Sequence, residues 1–161
     1  VRILTAIETQ LSITHYVLGA RPCAVDCILL GGLRAHTYMD PTPKRVIEGY
    51  PRVVDWCTRL ADAWDGTGTI SFPSITPFAQ FVAGEMVNTY KPFLLANREA
   101  SDAGAKAFNA DIYGESVSYL TRPYPPLSAS LITHRLRQLN VAERDDAEQW
   151  LTEHNLLECF I

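Results

Sequence analysis

The chain has no long apolar run, no basic cluster and few cysteines, and each shortage removes a class of protein. Its most apolar stretch, Cys27 to Leu33, falls far short of the roughly 18 residues that a membrane-spanning helix needs. The uncharged run from Gly66 to Gly84 is interrupted by Pro73 and Pro77 and diluted by Ser and Thr, so no transmembrane helix is expected. Fourteen Lys and Arg stand against eighteen Asp and Glu, a net charge of −4. Without a basic run, neither nucleic acid nor an anionic membrane surface is an expected partner. A Gly-rich phosphate loop, a Gly-x-Ser-x-Gly elbow and a metal-binding His pair are all missing from the sequence.

Cys23, Cys27, Cys57 and Cys159 are sparse for 161 residues and sit among apolar neighbours, unlike the short, dense frameworks that disulfides hold together. The spacing of Cys23 and Cys27 could supply half a zinc site, but no second pair of ligands accompanies it. Reduced thiols acting as small buried hydrophobes in a cytoplasmic protein are the expectation.

With 47% hydrophobic and 20% charged residues, the chain can bury a sizeable core, and its length suits a single domain. It starts at Val1, not Met, and enters an amphipathic helix without the features of a signal peptide. The expectation is a piece cut from a longer protein.

Helical periodicity dominates. Ile3, Leu4, Ile7, Leu11 and Leu18 predict a helix ended by Gly19. Val25, Cys27, Ile28, Leu29, Leu30 and Leu33 predict a helix apolar nearly all round, hence central and buried, with Gly31 and Gly32 admitting a neighbouring backbone. A short turn is expected over 44–48. Pro51 opens a helix whose inner stripe is Val53, Trp56, Cys57, Leu60 and Trp64, closed by Asp65 to Gly68 before a loop containing Phe72 and Pro73. A long helix over 78–108 is expected to kink or split at Pro92. Two short strands over 110–121 meet around Gly114, and Pro123, Pro125 and Pro126 predict an extended link. Final helices are expected over 127–139 and 142–154, with Asn140 as a cap and Glu143, Asp145 and Asp146 near the second N-terminus. The sum is an all-α bundle, with room for one small β-hairpin.

Tyr16, Leu18 and Gly19, then Arg21 and Pro22, then Ala24, Val25 and Asp26 opening an apolar helix, followed by Pro51, Val53 and Trp56, resemble the C-terminal all-helical domain of the glutathione transferase superfamily. That resemblance covers about residues 1–65 as part of the helical core. Residues 66–161 are less specifically similar to the helical extension of a bacterial branch, which the Asp40–Pro43 run also resembles, and are expected to pack on the same core. In this family a Ser or Thr caps the apolar helix and an Asp three positions later answers it. Here Cys23 holds the cap position and Asp26 the third helical position. A thiol accepts hydrogen bonds poorly, so only the Asp26 half of that box is expected at full strength.

The resemblance implies an upstream thioredoxin-like domain, absent from this chain, that binds glutathione and supplies the thiol-activating residue. This chain is then expected to bind no cofactor and to be inactive alone, contributing the hydrophobic-substrate wall and inter-domain or dimer contacts. Its implied partners are that domain, a second copy in a homodimer and a small hydrophobic ligand. A protein-interaction or noncatalytic ligand-binding module on the same fold is the alternative.

Other clusters favour plain structural roles. Arg34, His36 and Tyr38 spread around their helix, and His15 lies at a helix end. Trp56, Trp64, Phe78 and Phe81 suit a core. Asn88 and Asn97, amides in an apolar stretch, need partners and suit backbone carbonyls near Pro92. Tyr113, Tyr119, Tyr124 and Arg122 have an interface-like composition but are better read as packing the hairpin down. Arg144, Asp145, Asp146 and Glu148 form a solvated turn.

Overall fold

A computed structural model describes residues 1–59, 64–70 and 76–161. The described residues form eight α-helices and one antiparallel hairpin. None of these helices is long and apolar enough to cross a membrane. The chain divides into two compact units, 1–81 and 82–161, each with its own core.

In the first unit, α1 (Arg2–Leu11), α2 (Ala24–Leu33), α3 (Pro41–Ile47) and α4 (Pro51–Thr58) precede the start of α5 (Pro77–Asn88). Leu4 and Ile7 of α1, Ile47, and Val53, Trp56 and Cys57 of α4 are buried, together with Val17 and Phe78. The first helix ends seven residues earlier than its apolar spacing predicts, at Leu11 and not Leu18. The Thr14 hydroxyl donates to the Tyr16 carbonyl at 2.6 Å, and Val17 gives its N–H to Asp26 at 3.0 Å. A continued helix would have spent that N–H on Ile13.

The polar side of α1 serves other helices. Pro51 and Pro77 open α4 and α5, leaving the following amides without helical acceptors. Glu8 accepts from the amides of Arg52 and Val53 at 3.0 Å each and pairs with the Arg52 guanidinium at 3.1 Å. Fully buried Gln10 accepts from the Phe78 amide at 3.2 Å through Oε1 and donates to Thr14 at 2.8 Å through Nε2.

The second helix departs most from expectation. It is not central and buried: Asp26 is its only buried residue, Ile28 is 75% exposed and Cys27 is exposed. Among the described residues, no atom outside the helix's own backbone lies within 4 Å of where a Cβ would stand on Gly31 or Gly32, so no described backbone packs there. An apolar composition selects burial only where another element is present to cover it. A π-helical turn, Arg34–Tyr38, continues α2. Helix α4 stops at Thr58, and Trp64 lies beyond it, 37% exposed. Leu60, Phe72 and Pro73 fall outside the described residues.

The second unit contains the rest of α5, α6 (Tyr90–Asp102), β1 (Ala107–Ile112), β2 (Glu115–Leu120), α7 (Tyr124–Gln138) and α8 (Val141–Glu153). Its core gathers Ala83, Leu94, Ala129, Leu151, Leu156, Cys159 and Phe160. Of the kink or split expected at Pro92, the structure has the split, at Thr89. Pro92 has no N–H to give the Asn88 carbonyl, and the Tyr113 amide takes that acceptor instead at 3.2 Å.

Helix α6 does not continue to Phe108. Gly104, at φ +67°, ends it with Ala105 N–H on the Ala100 carbonyl and Gly104 N–H on Ser101, the Schellman pattern. Asn155, at φ +56°, ends α8 in the same way. The strands are longer than expected, and Tyr113 and Gly114, both at positive φ, form the two-residue turn between them. Such a primed turn matches strand twist, and Gly114 adopts its φ of +83° without a Cβ penalty. Pro125 and Pro126 lie inside the first turn of α7, not in an extended link. Their fixed φ suits a helix start, where the missing donors are not needed.

Candidate functional site

Two features of the first unit have the geometry of a site: the Asp26 anchor and a cleft beside it. Pro22 leads an extended Cys23 (φ −138°, ψ 177°) into α2. The Asp26 carboxylate, 1% exposed, reaches back to the Cys23 amide through Oδ2 at 2.9 Å while Oδ1 accepts from Val17 at 3.0 Å. The Cys23 thiol donates to the same Oδ2 at 3.1 Å. Burial raises the Cys23 pKa, and the Asp26 side chain adds to the rise. Cys23 is therefore held as a thiol, poorly suited to nucleophilic chemistry. Val17, nine residues from Asp26, carries no sequence signal for this contact.

The cleft encloses about 570 Å³ between the 15–20 turn, the end of α4 and the 64–68 loop. A second hollow of about 460 Å³ shares His15, Asp55 and Arg59 with it. Arg59 organises the wall: its guanidinium pairs with Asp55 at 3.0 Å, donates to the His15 carbonyl at 2.8 Å and lies 5.4 Å from the centre of the Tyr16 ring. Asp55 lies on α4 and Arg59, four positions on, caps the end of that helix, which brings their side chains together.

Opposite them, Trp64 donates to the Thr67 carbonyl at 2.6 Å. Asp65 accepts from the Thr67 amide at 2.9 Å and hydroxyl at 2.7 Å, and these bonds hold its carboxyl below the usual carboxylate range. A Cβ on Gly68 would stand 2.9 Å from the Ala20 carbonyl oxygen, so only glycine permits this close approach of loop to turn. The Ala20 N–H on the Thr69 carbonyl, at 3.0 Å, ties them together.

The cleft thus offers the aromatic side chains of Tyr16 and Trp64, the Arg59 guanidinium and the carboxylates of Asp55 and Asp65 to a small amphipathic molecule. Sequence reasoning gave His15 and Trp64 structural roles and did not single out Asp55 or Arg59. Their four-residue spacing and the Trp64–Gly68 loop were the available signals. Among the described residues, no group of three His, Cys, Asp or Glu side chains is placed to hold a metal ion.

The remaining clusters stand apart from this cleft. Arg34 and His36 are exposed on the π-helical turn, and Tyr38 lies 5.0 Å from the Lys44 ammonium. Trp56 is core, while Phe81 is half-buried against Arg2. Asn88 donates to the Gly84 carbonyl at 2.9 Å. Fully buried Asn97 donates to the Arg122 carbonyl and accepts its amide, both at 2.8 Å, standing in for a strand neighbour at the end of the hairpin. Tyr119 packs with Phe93 and Phe108 at centroid distances of 5.0 and 5.7 Å, and Tyr113 bonds to Glu85. Tyr124 is 72% exposed. Arg144, Asp145, Asp146 and Glu148 lie within α8, not in a turn, and Arg144 pairs there with Glu148 at 3.7 Å.

In comparisons with protein-family models, curated proteins and solved structures, no family model, curated protein or solved structure matches the chain.

Proposed function

We propose that this chain is the C-terminal helical part of a glutathione-transferase-like protein, with glutathione binding and catalysis residing in an upstream thioredoxin-like domain. The chain contributes the wall that faces hydrophobic substrate and the surface on which the other domain or a second copy rests. The observation that carries this reading is the bare face of α2. An apolar helix, fixed at its N-terminus by a buried carboxylate, leaves Ile28, Gly31 and Gly32 open. Exposed apolar surface of this kind marks an interface.

Two measurements test it. The coding sequence upstream of Val1 should encode a thioredoxin-like region with a thiol-activating Ser, Tyr or Cys; a gene without one ends the proposal. Cys27, exposed on α2, should react readily with a thiol reagent in this chain and become protected in the longer protein.

The cleft favours a second reading, a noncatalytic binder of small amphipathic molecules. Thermal shift with apolar dyes and glutathione conjugates tests it. Saturable stabilisation that does not require glutathione and is lost in Trp64→Ala supports ligand binding here. Stabilisation unchanged by that substitution places the ligand elsewhere.

A further inference from the structure

Helix α7 has two unlike faces. Ala129 is buried and Leu136 packs on the core, whereas Tyr124, Leu127 and Leu131 are 72, 57 and 60% exposed. Steps of three and four put these three on one narrow stripe, which His134 and Gln138 continue at the same spacing. This is the a/d pattern through which one helix receives another. In that register Arg135 and Arg137 occupy the e and g positions that flank the stripe.

Charge decides the occupant. From Ser116 to Ala142 the sequence has no Asp or Glu and carries Arg122, Arg135 and Arg137, in a chain whose net charge is −4. Four of the other Lys and Arg residues, Arg52, Arg59, Lys91 and Arg144, meet carboxylates. Among the described residues these three arginines form no ion pair, and all three are exposed. A second α7 would bring more arginine and no carboxylate. An anionic bilayer would meet Tyr124, Leu127, Leu131 and Ile132 with Arg135 four and three positions after the last two, on the same side of the helix, whereas interfacial helices bury a broad apolar face with their basic residues on the opposite one.

We propose that the Tyr124–Leu127–Leu131 stripe binds an amphipathic helix of a partner protein, with apolar residues at heptad spacing and Glu or Asp placed to meet Arg135 and Arg137. The test is fluorescence polarisation of the whole chain with a labelled synthetic helix of about three heptads, Leu at a and d and Glu at e and g. A matched peptide carries Lys at e and g.

The Glu peptide should bind saturably, at least about tenfold tighter than the Lys peptide, and weaken as salt rises. Leu131→Asp should abolish binding without changing the melting curve, since the side chain is already exposed. Arg135→Glu with Arg137→Glu should reverse the preference toward the Lys peptide, a readout that lost stability cannot imitate. Equal affinity for both peptides, or for neither, overturns the proposal. So does dimerisation of the chain, or binding to anionic phosphatidylserine vesicles, if Leu131→Asp removes it.

Discussion

In residues 1–81, helix starts and turns are held by side chains from distant parts of the sequence. Glu8 caps α4 from 44 and 45 positions away, Gln10 caps α5 from 68, and Asp26 fixes Val17. In residues 82–161 the corresponding work is mostly local. Asn140 and Glu143 cap α8 reciprocally at 3.0 and 3.4 Å, Gly104 and Asn155 close α6 and α8, and Tyr113–Gly114 turn the hairpin. The long-range bonds of this unit hold other places: Asn97 on Arg122, 25 positions apart, and Lys91 on Asn155, Arg98 on the Glu158 and Cys159 carbonyls and Thr133 on the Phe160 carbonyl, which fasten the C-terminal segment. The first unit therefore fixes its helix starts and turns through a few residues, each bonded to two or more groups. The second sets its helix ends and its hairpin turn by local signals and keeps its long-range bonds, from Lys91, Arg98, Asn97 and Thr133, for the C-terminal segment and the end of the hairpin.

That contrast predicts an ordered series of losses in urea unfolding. Asp26→Ala should cost most, about 2–4 kcal/mol, because it strands the buried Val17 amide as well as the cap. A loss near 1 kcal/mol would reduce Asp26 to an ordinary cap and weaken the contrast. Glu8→Ala should follow at about 1.5–3 kcal/mol, since a charged acceptor leaves two helix-start amides and the Arg52 guanidinium. Glu8→Gln should recover part of it.

Asn97→Ala should cost about 1–2 kcal/mol, and hydrogen exchange should show the Arg122 amide losing protection. Asn140→Ala should cost about 1 kcal/mol; a loss as large as that of Asp26→Ala would erase the distinction between the units. The smallest effect concerns Asp65, whose folded carboxyl titrates below its ordinary value because of Thr67. Its contribution is complete above the ordinary carboxylate pKa and is lost as pH falls through the lower folded value. By NMR titration, Thr67→Val should move the Asp65 midpoint upward.

The same contrast explains which elements could be read in advance. Asn140 at the start of α8, the hairpin around Gly114, and Trp56 in the core followed from local chemistry. The reach of Asp26 back to Cys23 also followed, because both lie within one helical turn. The break at Thr89 was placed near Pro92, but Tyr113 on the freed Asn88 carbonyl was not visible. In the cleft, Trp64 was assigned to a helix stripe that ends at Thr58, and the joining of Arg59 to the His15 carbonyl spans 44 residues.

The sequence by itself determined that this is a mostly helical chain with one hairpin, where many of its turns lie and which of its helices are amphipathic. Those features depend on periodicity and on side chains acting within a few residues of their own backbone. Only the tertiary structure decided that Glu8 and Gln10 serve other helices, that one face of α2 lies bare and that Asp55, Arg59 and Trp64 line one cleft. Burial and tertiary hydrogen bonds depend on which surfaces meet, and apolar composition alone does not name the surface that will cover it.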